Sequence, residues 1–145
     1  MKLEFIKVGK PGISESSSWV ETYTKRSKRY VPFEARIIKE NQLVNVVEKC
    51  HSSAHKLVLL DEGGEQFSSR QLSQLFKRWI DEPTIKSATF IVGSPYGFTN
   101  EAKNAADALW SLAKGTFPSD LAWVMTAEQI YRALSIINGS DYHHE

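Results

Sequence analysis

The sequence has a single cysteine, Cys50, among 145 residues, which rules out an internal disulfide and any metal cluster built on several thiolates. That scarcity is compatible with a reducing compartment. No stretch approaches the roughly 20 consecutive apolar residues that a membrane helix needs. The opening segment, Met1-Lys2-Leu3-Glu4-Phe5-Ile6-Lys7-Val8, sets charges inside its apolar run, as signal peptides do not. A soluble, cytoplasmic protein with no membrane association is expected. Net charge is only +1, too little to grip a polyanion by bulk attraction. Neither a Gly-Lys-Ser/Thr phosphate loop nor a Gly-x-Gly dinucleotide fingerprint occurs. No Ser-His-acid or Cys-His arrangement and no metal-ligand spacing can be found, so no metal site is expected.

What is present reads as one α/β domain over 1–145. An apolar fraction of 41 % with 24 % charged residues can build a core and argues against disorder. Charge is unevenly placed: residues 1–50 carry ten Lys/Arg and six Asp/Glu, whereas 51–145 carry eight and eleven, so a polyanion should meet the N-terminal third first. Four apolar runs read as strands: Leu3–Val8, Phe33–Ile38, Leu57–Leu60 and Ala88–Val92. Helical patterns alternate with them. The first runs from about Ser16 to Arg29, with Ser18 and Glu21 as a capping-box pair. Leu43, Val46, Val47 and Cys50 line the second. Ser68 and Gln71 cap the third, whose apolar face is Leu72, Leu75, Phe76 and Trp79. Thr99 opens a fourth through Ala102, Ala105, Ala106 and Leu109. The fifth begins after Pro118 and stops at Asn138-Gly139. This alternation predicts a mainly parallel sheet with helices on both faces.

In such sheets ligands sit at the carboxyl ends of the strands. Three segments qualify: Leu60-Asp61-Glu62-Gly63-Gly64, Gly93-Ser94-Pro95-Tyr96-Gly97, and Ser111 through Pro118. Gly93, Gly97 and Gly115 would let a ligand approach the backbone, although on spacing alone a tight turn is the better account of the first two. Asp61 and Glu62 are either acid–base groups or solvated turn residues. Lys25-Arg26-Ser27-Lys28-Arg29 could hold phosphates, or be a basic helix end suited to the macrodipole. Glu128 and Arg132 have the spacing of an i, i+4 ion pair. The tail Tyr142-His143-His144-Glu145 offers two imidazoles, or is simply a disordered end.

Taken together, three stretches carry a family likeness. They are Leu59-Leu60-Asp61-Glu62-Gly63-Gly64-Glu65-Gln66-Phe67-Ser68-Ser69, Phe90-Ile91-Val92-Gly93-Ser94-Pro95-Tyr96-Gly97, and Glu128-Gln129-Ile130-Tyr131-Arg132-Ala133 followed by Tyr142-His143. With the opening Met1-Lys2-Leu3 and Val8-Gly9-Lys10, the chain resembles the bacterial large-subunit ribosomal RNA pseudouridine methyltransferases, the RlmH family of the SPOUT class. The resemblance implies a deep trefoil knot in the C-terminal half and an obligate homodimer whose cofactor pockets are completed by the partner chain. It implies methyl transfer from S-adenosylmethionine to ring nitrogen N3 of a pseudouridine in helix 69 of 23S ribosomal RNA, within the assembled ribosome. Carried over by position, cofactor contacts fall on Leu60, Gly93, Leu112, Ala113, Lys114, Gly115, Thr116 and Phe117. His143, Tyr142, Glu128 and Arg132 would orient the base or assist its deprotonation.

Two positions depart from the family. Ser119 stands where a His usually follows the Phe-Pro pair, and Trp123 where an Arg usually follows four residues later. Trp123 is expected to pack across the dimer or stack on a base. Apolar surface around Trp123 and Tyr131 on the last helix looks too large for one small domain to cover, which also points to a homodimer. The departures leave an alternative, a ribosome-binding SPOUT protein with altered or lost activity. An unknotted nucleotide-binding module is the third reading.

Overall fold

Leu3 and Phe5 alternate with Ile6 and Val8 toward opposite sides of the first strand, and both sides are buried, as a central strand requires. A computed structural model describes residues 1–144. Its strands are β1 (Lys2–Val8), β2 (Phe33–Ile38), β3 (His55–Gln66), β4 (Ser87–Val92) and β5 (Ala108–Ser111). All pairs are parallel, in the order β2-β1-β4-β3-β5. The helices are α1 (Ser14–Ser27), α2 (Leu43–Lys49), α3 (Ser69–Asp81), α4 (Asn100–Ala105) and α5 (Ser119–Ile137). One face of the sheet packs under α1, α3 and α5, through Val20, Leu72, Phe76, Trp79, Trp123, Ile130 and Leu134. The other packs under α2 and α4, through Leu43, Val46, Val47 and Ala102. Each fully buried large side chain contributes roughly 1.5–3 kcal/mol. Helices on both faces of a parallel sheet match the sequence reading.

Local chemistry explains most boundaries. Ser68 Oγ accepts from the Gln71 amide at 3.1 Å while Gln71 Oε1 accepts from the Ser68 amide at 2.8 Å, the reciprocal cap expected for α3. Thr99 Oγ1 accepts from the Ala102 amide and starts α4. Gly139, at φ +70, turns the chain away from α5.

Three expectations need correction. Ser18 and Glu21 do not cap α1; the helix begins at Ser14, and the amides of Gly12 and Ile13 just before it donate to the Asp120 carboxylate, at 2.7 and 2.6 Å. The fourth helix stops at Ala105, and Leu109 belongs to β5, a short strand hidden inside an apolar stretch that also suits a helix. β3 does not end at Leu60. It runs on to Gln66 through a bulge at 61–64, so that Leu60 and then Glu65 both pair with Trp110. Gly64 makes this possible, since a side-chain carbon there would strike the Leu109 carbonyl of β5.

Candidate active site

The β3 bulge, the β4–α4 turn and the segment from β5 to α5 meet at the carboxyl end of the sheet around one cavity of about 530 Å³. Leu60, Val92, Trp110 and Leu112 give it apolar walls, and Pro118, Ser119 and Ala122 bring in the start of α5. Of the residues singled out for a cofactor, Leu60, Gly93, Leu112, Ala113, Gly115, Thr116 and Phe117 line it. Lys114 does not line the cavity; it is exposed on the same loop. Phe98 and Trp110 also line it and escaped the sequence reading, Trp110 because β5 was hidden. Gly93 has no unusual φ. Its place is fixed by Phe98, whose ring would lie 3.0 Å from an added side-chain carbon. Gly97, in contrast, has φ +71 and closes a turn in which its amide donates to the Ser94 carbonyl.

Among the described residues only two ionisable side chains line the cavity, Asp61 and Glu62, and both are carboxylates. Lys103 from α4 faces Asp61 at 3.6 Å. Glu62 instead accepts a hydrogen bond from the Thr116 hydroxyl at 2.6 Å, which ties β3 to the loop before α5 across the mouth.

Behind this wall lies a second ionic contact. Lys7 is 1 % exposed, and its Nζ stands 3.6 Å from Asp120 and donates to the Gly9 carbonyl at 3.0 Å. Lys7 pairs in register with Val92, and Asp120 follows Ser119, so the pair braces two cavity-lining positions from outside. Lys7 shares the side of β1 that carries Leu3 and Phe5, a signal available from the two-residue period but read only as a charge in an apolar run.

The four residues singled out for chemistry form a separate cluster farther along α5. Glu128 Oε1 accepts from Arg132 Nε and Nη2, at 2.9 and 2.6 Å, and from the Tyr142 hydroxyl at 3.0 Å. The Arg132 guanidinium lies over the Tyr142 ring, 4.7 Å from its centroid. Arg132 Nη1 is 3.2 Å from His143 Nδ1, and because a guanidinium only donates, Nδ1 is the acceptor of that contact. Burial, with the Glu128 carboxylate adding to it, pushes the Tyr142 phenol far above the usual tyrosine range. Tyr142 is therefore a hydrogen-bond donor and no base. The hydrogen bond from Arg132 to Glu128 holds the guanidinium above its ordinary value. None of the four lines the cavity of its own chain. His144 is exposed, and Glu145 lies outside the described residues.

The last helix also corrects a reading. Trp123, 4 % exposed, and Tyr131, 6 % exposed, are covered by their own chain, Tyr131 beside Tyr23, Tyr30 and Tyr142. Trp123 thus neither stacks on a base nor packs across a dimer. It closes the floor of a groove between α1 and β2.

The model of the family described as predicted SPOUT methyltransferases matches residues 1–143. The chain belongs to the SPOUT methyltransferase family. Among curated relatives, the ribosomal RNA large subunit methyltransferase H of Maridesulfovibrio salexigens is 36 % identical over 99 % of this chain and 98 % of its own length. That of Parabacteroides distasonis is 33 % identical over the whole of both chains. Solved structures share the SPOUT fold at lower identity. A "probable methyltransferase" from Bordetella pertussis aligns with TM-score 0.58 and 12 % identity, over 92 % of this chain and 96 % of that one. The SpoU methyltransferase AviRb from Streptomyces viridochromogenes, crystallised with AdoMet, aligns with TM-score 0.53 and 12 % identity, over 96 % of this chain and 59 % of that one. Among the described residues no helix is long and apolar enough to cross a membrane.

Proposed function

We propose that this SPOUT protein is an S-adenosylmethionine-dependent methyltransferase of large-subunit ribosomal RNA, acting in the cytoplasm on N3 of a pseudouridine in helix 69. The observation that carries the reading is the meeting of three separate loops at one cavity of about 530 Å³, a size suited to a nucleoside-containing ligand. Leu60, Trp110 and Leu112 offer apolar walls to an adenine, and backbone groups near Gly93 and Gly115 can read its polar edge. Nothing lies within 4 Å of a side-chain carbon built on Gly115, so the cradle is open at that point. The cofactor supplies a methyl already activated by a positively charged sulfur, so the protein's task is alignment. Arg132 and His143 offer N–H donors that could hold the target base, while Glu128, already accepting from Arg132 and Tyr142, anchors them and leaves the Tyr142 oxygen only as an acceptor.

The same reading calls for a second copy of the chain. Ala122 lines the cavity, while Glu128 lies roughly 9 Å and Arg132 roughly 15 Å farther along the helix axis, at about 1.5 Å per residue. A homodimer that lays one chain's cluster beside its partner's cavity would join the two halves. Leu121 and Met125, both exposed, share the α5 face of Glu128 and Arg132 and suit such an interface. A knot in the C-terminal half is part of this proposal, and the strand order is compatible with it. The altered pair Ser119 and Trp123 favours a second reading, in which the family fold docks on the ribosome with a changed target, because the cavity wall has a serine there and no cation.

Calorimetry with S-adenosylmethionine tests the cofactor, with micromolar binding expected. Mass spectrometry of 23S ribosomal RNA from a strain lacking the protein tests the target, and a missing methyl on the helix 69 pseudouridine is expected. An unchanged RNA would overturn the target assignment. Sedimentation showing only monomer at micromolar concentration would remove the shared site.

A further inference from the structure

We infer that Glu62 selects the cofactor by its charge, favouring the methyl-bearing sulfonium form over the neutral thioether that remains after transfer. This rests on the cofactor reading above. Among the described residues the cavity has two carboxylates and no lysine, arginine or histidine in its lining. Lys103 offsets the charge of Asp61, whereas no cation forms an ion pair with Glu62 among the described residues. Glu62 is nonetheless held in place. Its Oε2 receives the Thr116 hydroxyl from the opposite side of the mouth, which leaves Oε1 for a ligand.

Glu62 is exposed at the mouth of a half-open cavity whose walls mix apolar side chains with hydroxyls, and its unpaired negative charge suits a ligand with an extra positive charge. The two forms of the cofactor carry the same ammonium and carboxylate and differ at sulfur. On methyl transfer the S–C bond breaks with its electron pair retained by sulfur, the acceptor nitrogen bonds the methyl, and its proton passes to water. The cofactor's charge falls by one. Glu62 then holds the spent form less tightly, which helps product leave. For an exposed carboxylate with an effective dielectric constant of about 40, a ligand charge held on the order of 7 Å away would change a dissociation constant about sevenfold.

The test is calorimetric titration of wild type, Glu62→Gln and Asp61→Asn with three ligands: S-adenosylmethionine, S-adenosylhomocysteine and sinefungin, which keeps a positive charge at the sulfur position. Glutamine preserves size and the acceptor for Thr116. Glu62→Gln is expected to weaken S-adenosylmethionine and sinefungin about sevenfold and S-adenosylhomocysteine less than twofold, with the contrast shrinking at high salt. Asp61→Asn should have the smaller effect. Equal weakening of all three ligands by Glu62→Gln would mean that Glu62 acts only as a clasp, and unchanged affinities would mean that it does not act; either result overturns the inference while leaving the cofactor site standing. Failure of the wild type to bind any of the three would overturn the cofactor reading itself, and this inference with it.

Discussion

Replacing Asp120 with alanine probes the junction on which the cavity wall depends. The carboxylate has two tasks: Oδ1 faces the buried Lys7 ammonium at 3.6 Å, and Oδ2 accepts from the Gly12 and Ile13 amides. Without it Lys7 keeps only carbonyl partners, Gly9 at 3.0 Å and Val8 at 3.4 Å, in a place that water does not reach. Breaking a buried pair from one side costs about 3–5 kcal/mol, most of it the stranded charge. Against a total of about 5–15 kcal/mol the loss is severe. At roughly 2–4 °C per kcal/mol for a chain of this length, the melting temperature should fall by about 6–20 °C. Urea unfolding followed by circular dichroism, at fixed protomer concentration, measures the change. Lys7→Met should rescue it: the double variant removes the stranded charge and is expected to recover about 2 kcal/mol of the loss. An Asp120→Ala protein within about 1 kcal/mol of wild type, or a double variant equal to the sum of the singles, would refute the reasoning.

Other outcomes follow from single contacts. Gly93→Val should lower S-adenosylmethionine affinity at least about tenfold with the fold retained, because the new side chain displaces Phe98 into the cavity; Phe98→Leu in the same protein should restore part of it, and unchanged affinity in calorimetry would remove Gly93 from the site. A protein ending at Ser140 is expected to fold and bind the cofactor but methylate ribosomes at least about a hundredfold more slowly in a tritiated methyl assay; full activity would leave Glu128 and Arg132 as the remaining candidates. The raised Tyr142 pKa means that the folded state binds its phenolic proton more tightly than the unfolded state does. Its stabilisation is complete below about pH 10, the ordinary tyrosine value, and is lost as pH rises from there toward the higher folded value; Tyr142→Phe should flatten that alkaline limb of a stability–pH curve.

Elements with their own caps and periods were legible in the sequence. Ser68 with Gln71 and Thr99 marked two helix starts, and the run Ala88–Val92 marked a buried strand, because each signal is local. Two of the three site loops were legible for the same reason, as glycine-containing turns after strands, whereas Ser111–Pro118 follows β5, whose strand was not. What was hidden depends on distant partners. β5 is a strand only because β3 lies beside it, and the bulge at 61–64 exists only because Gly64 can press against Leu109. The start of α1 is set by Asp120, more than a hundred residues away, so the local Ser18–Glu21 pattern misled. Trp123 read as surface because the helical period of α5 does not say that α1 covers it.

The departures at the start of α5 make sense when Lys7 and Asp120 are considered with them. At the position where the family resemblance implies an arginine, this chain carries Trp123, which lies under α1 and β2. A cation still reaches the beginning of the helix, but it comes from β1, and Asp120 holds it behind the wall formed by Val92, Pro118 and Ser119. Supported in that way, the wall stays in place without presenting positive charge to the ligand. The lining keeps only its carboxylates, so the electrostatic preference of the cavity is set by Glu62 and Asp61. On the proposed function, a cationic cofactor is favoured by the surface it meets, and an anionic RNA would be recruited elsewhere. The basic N-terminal third, with Lys25 and Lys28 on the rim of the α1–β2 groove, is the part of the chain with charge to spare for that task.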